Sequence, residues 1–158
     1  MSVSLVKAYL APFGLENRVR EFDVSSATVE LAAQAVGVIP ARITKTLSFL
    51  VGDSAILVAC AGDTKVDNHK FKERFGCKAK MLNAEQVIRF TGHAIGGVCP
   101  FANPDGVETY LDVSLKRFDT VFPAAGSSNS AIQLTCDELE EFSHARGWID
   151  VCKAWQEP

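Results

Sequence analysis

Residues 92–104, GHAIGGVCPFANP, are the stretch around which this chain is organised. Gly96 and Gly97 free the backbone to adopt positive φ or to let another molecule approach closely. Pro100 and Pro104 stiffen the segment that follows. Because only two residues separate the glycine pair from Pro100, the main-chain N–H groups there can converge on one carbonyl or phosphate oxygen. A purely structural crossover explains the same composition, so both interpretations of this glycine-proline loop stay open.

Residues 43–51, ITKTLSFLV, are the second informative stretch, because they alternate as a β-strand does. Ile43, Leu47 and Phe49 share one face, and Lys45 falls on that same face. A lysine among core positions costs several kcal/mol of desolvation unless its amine reaches a partner or a pocket. We therefore expect Lys45 at the rim of a cavity and pointing into it. A lysine that snorkels past the strand end to water is the alternative.

The rest of the chain predicts intermixed helices and strands in a single domain of mixed α/β (α+β) class that spans residues 1–158. No internal repeat, linker or low-complexity segment interrupts it. The predicted helices cover residues 3–13, 29–36, 67–75, 84–90 and 136–145, the last one stopped by Gly147. The predicted strands cover residues 18–23, 43–51, 55–60, 109–113, 120–122, 131–134 and 148–151.

Composition excludes several classes of protein. The 158 residues are 47% hydrophobic and 22% charged, as in an ordinary globular domain. No run of about 18 apolar residues occurs and the N-terminus is polar, so we expect a cytoplasmic protein with no membrane partner. The five cysteines contain no CxxC pair and the three histidines have no ligand spacing, so we expect reduced thiols, no metal and no cofactor.

The charge is uneven along the chain, although the net charge is only −3. Residues 65–80 carry a local excess of positive charge, which favours a partner bound in one place, such as the end of a nucleic acid. A solvated helix face is the alternative interpretation. The lysines that we take as candidate contacts for such a nucleic-acid partner are Lys65, Lys70, Lys72, Lys78 and Lys80.

Three segments together resemble a known family. The strand lysine in ITKTLSF, the GGVCPF loop and the LDVSLKRFDTVFPAAGS segment, in this order, resemble the YbaK/ProX-like aminoacyl-tRNA editing domains. These domains are free-standing relatives of the editing insertion in bacterial prolyl-tRNA synthetase. The resemblance covers residues 3–153. It implies a partly barrel-like sheet with flanking helices, and hydrolysis of the ester that joins a wrong small amino acid to the end of a tRNA.

The resemblance also implies roles for individual residues. Lys45 would hold the terminal nucleotide through its phosphate, and the loop residues Gly96, Gly97, Val98, Cys99 and Pro100 would fix and polarise the ester carbonyl. The attacking water would be activated by the substrate's own ribose hydroxyl. Further substrate-binding positions are Phe22, Thr46, His93, Phe101, Asp112, Gly126, Ser127 and Ser128. The implied partner is the acceptor end of a mischarged tRNA, and an aminoacyl-tRNA synthetase partner stays open.

The sequence departs from the family pattern at two places and leaves two other functions open. Ala124 or Ala125 stands where members that remove cysteine from prolyl-tRNA usually have serine, and Cys99 stands where many relatives have serine or threonine. A thiol-dependent hydrolase that uses Cys99 beside His93 is one alternative. A module that binds a nucleotide or tRNA end without hydrolysing it is the other. The amino acid, the tRNA and the oligomeric state are not determined by the sequence.

Overall fold

The computed structural model describes residues 2–94 and 97–155, and this part of the chain forms five α-helices and ten β-strands. The helices are α1 (Ser2–Leu10), α2 (Val29–Val36), α3 (Asn68–Phe75), α4 (Ala84–Thr91) and α5 (Cys136–Ser143). The strands are β1 (Val19–Glu21), β2 (Ile43–Val51), β3 (Ser54–Ala61), β4 (Lys65–Val66), β5 (Glu108–Asp112), β6 (Thr120–Pro123), β7 (Ser130–Ile132), β8 (Leu134–Thr135), β9 (Trp148–Ile149) and β10 (Cys152–Lys153).

The β2–β3 hairpin lies at the centre of a six-stranded sheet of order β8-β6-β2-β3-β5-β9. The hairpin is antiparallel, and each of its strands pairs in parallel on the other side, β2 with β6 and β3 with β5. Every residue of β3 after Ser54 is buried, so this strand is covered on both faces, as its continuous apolar run predicts. The mixed α/β class with a curled, half-barrel sheet is thereby confirmed.

The two faces of the hairpin pack against different parts of the chain. Leu47, Phe49 and their partners Val58 and Ile56 pack with Phe71 of α3 in one cluster. On the opposite face of β3, Ala59 and Ala61 belong to a second cluster that includes Cys99 and Phe101 of the glycine-proline loop together with α1 and α5. The hairpin therefore separates the basic helix α3 from the loop.

Most local predictions are confirmed. Helix α2 and strand β2 have the predicted bounds, and the side chains of Asp67, Asn83 and Thr135 accept hydrogen bonds from the first turns of α3, α4 and α5. The predicted end of the last helix is wrong: α5 stops at Ser143, because His144 adopts the left-handed conformation at φ 53°. The ribbon formed by β4 and β10 was missed, since each of these strands has only two residues.

A membrane-spanning helix is absent from residues 2–94 and 97–155, where each helix is too short or too polar to cross a bilayer.

We predict that Phe71→Ala lowers the free energy of unfolding by about 3–5 kcal/mol, because it leaves a cavity in a well-packed core. The Phe71 ring is fully buried and lies 4.8 Å from the ring of Phe49 and 4.7 Å from that of Phe75. Urea unfolding measures the change. Phe13→Ala is the matched control, since Phe13 is 43% exposed, and an equal loss in both variants would contradict the packing described here.

Candidate active site

A pocket of about 290 Å³ opens at the outer edge of β2, close to the lower end of the range of about 300–1,000 Å³ that is usual for small-molecule sites. We call it the edge pocket. Its wall comes from five segments that are distant in sequence. They are residues 26–29 with Ala32, residues 43–48, the group Met81, Leu82 and Val87, the loop residue Val98, and the group Phe122, Ala124, Ser130 and Ala131.

The pocket exists because the outer edge of β2 is only partly covered. Strand β6 pairs with Ile43 and Thr44 at the start of β2. Near its end, the Leu50 amide donates to Lys80 O and the Leu82 amide donates to Ser48 O. Between these two contacts, residues 45–47 pair with β3 on their inner side but have no strand on their outer side in the described part of the chain. A ligand can therefore reach the sheet edge there, at the position of Lys45.

The glycine-proline loop forms one wall of this pocket, and a close backbone contact holds it in place. A Cβ atom on Gly97 would lie 2.7 Å from Gly126 O and 2.9 Å from Ser127 Cα, so the approach requires glycine at this position. The Gly97 amide donates to Ala94 O at 2.9 Å. Residues 95 and 96, including the candidate Gly96, lie outside the described residues.

Two loop amides lack an acceptor within the described residues, but only the first belongs to a residue on the pocket wall, because Cys99 is fully buried. Val98 lines the edge pocket, and no described residue accepts a hydrogen bond from the amides of Val98 or Cys99. The carbonyl of Cys99 is held by the Asn103 side-chain amide, which donates to it at 3.0 Å. An N–H group on a cavity wall, such as that of Val98, can bind a carbonyl oxygen or an oxyanion.

Lys45 lies on the pocket wall, but its amine does not point across the pocket. Lys45 pairs with Cys60 in the β2–β3 ladder, so its side chain leaves β2 from the face opposite to the one that packs on the loop. The amine donates a hydrogen bond to the carbonyl of Thr64. The sequence thus predicts the rim position of Lys45, whereas the direction of its amine differs from expectation.

Comparison with known proteins adds to this geometry. Residues 23–142 match the aminoacyl-tRNA editing domain family. The chain belongs to this family.

Individual relatives agree with the assignment. The chain is 55% identical over 157 residues to the uncharacterized protein YwhH of Bacillus subtilis (strain 168), covering 99% of this chain and all of that protein. It is 24% identical over 125 residues to the proline–tRNA ligase of Lactiplantibacillus plantarum (strain ATCC BAA-793 / NCIMB 8826 / WCFS1), covering 78% of this chain but only 22% of the ligase. A crystal structure of a candidate trans-editing enzyme for prolyl tRNA synthetase superimposes with a TM-score of 0.87 at 30% identity, covering 96% of this chain and 97% of that one.

Cys99 and His93 of this editing domain are parts of the core. Both side chains are fully buried, and burial raises the pKa of the Cys99 thiol to about 12. His93 Nε2 lies 3.1 Å from Phe101 O, so it donates to that carbonyl, and it lies 3.8 Å from Cys99 Sγ. Desolvation also lowers the pKa of His93. A neutral thiol beside a neutral imidazole is poorly suited to act as a nucleophile.

The small-residue turn at residues 124–130 lines the pocket through its two ends, whereas its middle residues support the pocket from behind. Ser127 Oγ donates within a hydrogen-bonded group that includes Asn129 Oδ1 at 2.7 Å and Ser130 Oγ at 2.9 Å. Ser128 contributes its carbonyl, which accepts from Ser26. Gly126 provides the surface on which Gly97 packs. Among the described lining residues, Ser130 and Ala124 take the place expected for Gly126, Ser127 and Ser128.

Three other candidates lie away from the edge pocket as described. Phe101 is fully buried in the core. Asp112 is also fully buried, and its carboxylate accepts from the amides of Ser114 and Val151 at 3.0 and 2.9 Å, so it joins the ends of β5 and β9. Phe22 is half-buried. Its amide donates to the Asn129 carbonyl, and its carbonyl accepts from the Asn129 side-chain amide. Pro100 is buried and is not part of the pocket wall. Thr46 lines the pocket as expected.

The sequence analysis missed the residues that complete the wall. Met81, Leu82 and Val87 come from the segment after the basic helix, and Ala27 and Val29 come from the start of α2. Their types carry no chemical signal, because apolar residues at helical or strand spacing occur in every core. Across the described residues, no group of three metal-ligating side chains forms.

We predict that Gly97→Ala lowers the free energy of unfolding by about 1–3 kcal/mol. The added methyl group would meet main-chain atoms of Gly126 and Ser127, which cannot rotate away as a side chain would. Urea unfolding tests this, and unchanged stability would contradict the contact.

We further predict that His93 makes the protein less stable as the pH falls. Its pKa is lowered in the folded state from 6.5, so the unfolded chain binds a proton below about pH 6.5 while the folded chain does not. The contribution is therefore complete above that pH and is lost as the pH falls toward the folded-state pKa. His93→Gln should reduce the slope of stability against pH between about 7.5 and 5.5. His69→Gln is the control, because the His69 side chain is 81% exposed; equal slopes in all three proteins would contradict the prediction.

Proposed function

We propose that this editing domain is a free-standing aminoacyl-tRNA deacylase, which hydrolyses the ester of a tRNA mischarged with alanine, serine, threonine or cysteine. The observation that carries the proposal is the edge pocket, whose wall includes both Lys45 and Val98, the amide of Val98 having no acceptor among the described residues. The names of the proline–tRNA ligase and of the candidate trans-editing enzyme favour proline tRNA as the carrier. A synthetase that hands over the mischarged tRNA remains part of the proposal.

The loop amides would bind the ester carbonyl. The amides of Val98 and Cys99 are held in place by the contact of Gly97 with Gly126 and by the hydrogen bond from Asn103 to the Cys99 carbonyl. Donors fixed in this way stabilise the oxyanion that forms when water attacks, and each is worth roughly 10²- to 10³-fold in rate. Their position on the apolar pocket wall strengthens the interaction, since less water competes there.

Lys45 would bind a phosphate of the terminal nucleotide. Its ammonium group has one hydrogen bond, to the Thr64 carbonyl, and no carboxylate lies within the 4.0 Å salt-bridge limit among the described residues. Two further N–H donors are thus available for an anion. Because the amine reaches the Thr64 carbonyl just after the end of β3, the phosphate would lie at the side of the pocket and the aminoacyl group inside it.

The pocket wall provides no protein base. Its described residues include no aspartate, glutamate or histidine, so the attacking water would be activated by the substrate's own ribose hydroxyl. The protein would contribute orientation and polarisation of the carbonyl. The small, largely apolar pocket suits a small side chain, and such hydrolysis is needed because one methylene gives a synthetase only about 1–3 kcal/mol of discrimination.

The same lack of a base favours a second candidate, a module that binds the tRNA end without hydrolysing it. A thiol hydrolase is less consistent with the structure, because the Cys99 thiol is buried and has its pKa raised to about 12. The two surviving candidates predict the same binding and differ only in turnover.

Deacylation of defined substrates distinguishes them. We expect the protein to release alanine, serine, threonine or cysteine from mischarged proline tRNA, and to leave correctly charged prolyl-tRNA largely intact. Lys45→Ala should reduce kcat/KM at least about tenfold, the loss expected for one charge-assisted hydrogen bond, while Cys99→Ser should retain activity. Lys116→Ala is the matched control on another surface. Binding of tRNA with no release of any amino acid above the blank would instead support the binding module.

A further inference from the structure

The ribbon formed by β4 and β10 places two lysines directly opposite each other. Lys65 pairs with Lys153, and Val66 pairs with Cys152, in antiparallel register. Cys152 is fully buried, and Val66 packs against the same cluster, so the alternation of the strands puts both lysines on the outer face. Both are exposed. Like charges at directly opposed positions destabilise a strand pair, so an anion between them would be stabilising.

The chain itself provides little compensation for these charges. Within residues 2–94 and 97–155, neither Lys65 nor Lys153 forms a salt bridge. The pKa of the Asp67 carboxyl is lowered mainly by the hydrogen bond from the Lys70 amide, and the positive charge of Lys153 makes a smaller contribution. The Asp67 carboxylate, however, already accepts hydrogen bonds from two amides at the start of α3.

The other acidic residues of this region are occupied by other partners. Asp63 forms two hydrogen bonds with the guanidinium group of Arg117, at 3.0 and 2.6 Å. Asp150 accepts from Lys70 Nζ at 3.1 Å. The outer face of the ribbon therefore keeps an excess of positive charge.

This ribbon adjoins the edge pocket through Lys45. The Lys45 amine donates to the carbonyl of Thr64, and that carbonyl belongs to the peptide unit that precedes Lys65. The Lys45 amine is thus next to the start of the ribbon, in which Lys65 is paired with Lys153. An extended chain of phosphates that leaves the pocket at Lys45 would meet the two opposed lysines next.

We infer that Lys65 and Lys153 form a lysine clamp for a phosphodiester of the nucleic-acid strand that leads out of the edge pocket. The inference rests on the proposed function, in which the end of that strand occupies the pocket. The ligand chemistry is a phosphate, and an exposed ribbon without walls favours a polyanion held at several points over a free phosphate ion.

The structure also assigns different roles to lysines that the sequence alone does not distinguish. Lys70 is half-buried, and its amine is used within the protein by Asp150 and by the Cys152 carbonyl at 3.1 Å. Lys153 lies outside the basic stretch at residues 65–80, yet strand pairing brings it to Lys65. We therefore expect Lys153 to contribute to tRNA binding and Lys70 to contribute mainly to folding.

Binding of uncharged tRNA tests the clamp without requiring catalysis. In the Lys65→Gln/Lys153→Gln double variant, we expect fluorescence anisotropy to show at least a tenfold weaker affinity at low salt. The slope of log K against log salt should fall in magnitude by about one, for the single phosphate contact that is lost. The Lys7→Gln/Lys116→Gln double variant is the control, because it changes the net charge equally on other surfaces. Equal losses in the two double variants would overturn the inference.

Kinetics and stability provide two further readouts. With mischarged tRNA, the clamp variant should show a raised KM and an unchanged kcat, while hydrolysis of a 3′-aminoacyl-adenosine without further nucleotides should be unaffected. Competition by inorganic phosphate as strong as that by tRNA would show a free-phosphate site and overturn the strand assignment.

Lys153→Glu should bind tRNA more weakly and melt at an equal or higher temperature, because it removes the repulsion with Lys65; normal tRNA affinity in this variant would refute the clamp. If the wild-type protein binds tRNA but hydrolyses no ester, the proposed function fails while the clamp is still tested by the binding experiment.

Discussion

The incomplete coverage of the outer edge of β2 is the constraint on which the candidate site depends. Backbone N–H and C=O groups at a sheet edge need partners, and β2 receives them from β6 at one end and from residues 80–82 at the other. On this outer side, the interval at residues 45–47 lacks a neighbouring strand among the described residues. The fold thereby creates a pocket in the middle of its central sheet, where the surrounding strands hold the walls rigidly.

Contacts on the buried side of the glycine-proline loop fix its described residues 97–103 in place. Gly97 lies against the main chain of Gly126 and Ser127, His93 holds the Phe101 carbonyl, and Asn103 holds the Cys99 carbonyl. These contacts use the reactive side chains of the loop as structural elements, which leaves the main-chain amides as the groups available for chemistry. Such an arrangement suits the stabilisation of charge on a substrate oxygen, for which orientation matters more than nucleophilicity.

Positive charge near the candidate site is concentrated on a few lysines that different segments of the chain bring together. Lys45 lies on the pocket wall, and strand pairing brings Lys65 and Lys153 together just beyond it. The acidic residues near them are bound to Arg117, to Lys70 or to the first turn of α3. A protein with a net charge of −3 can therefore still present a local site for a polyanion.

The sequence by itself determined the elements whose causes are local. The alternation in ITKTLSFLV gave the bounds of β2, and the residues Asp67, Asn83 and Thr135 gave the starts of three helices, because strand periodicity and capping act over a few neighbouring residues. The order of the lysine strand and the glycine-proline loop was also enough to indicate the editing-domain family.

Only the tertiary structure decided how these elements meet. Phe101, Asp112 and His93 have residue types that suit a site, yet packing buries all three. The side chains of Asp112 and His93 form hydrogen bonds with main-chain groups of Val151 and Phe101. The direction of the Lys45 amine, the pocket residues near Met81 and the pairing of Lys65 with Lys153 all depend on contacts between segments far apart in the chain. Such contacts are set by how the sheet and its helices fill space together, and no short stretch of sequence contains that information.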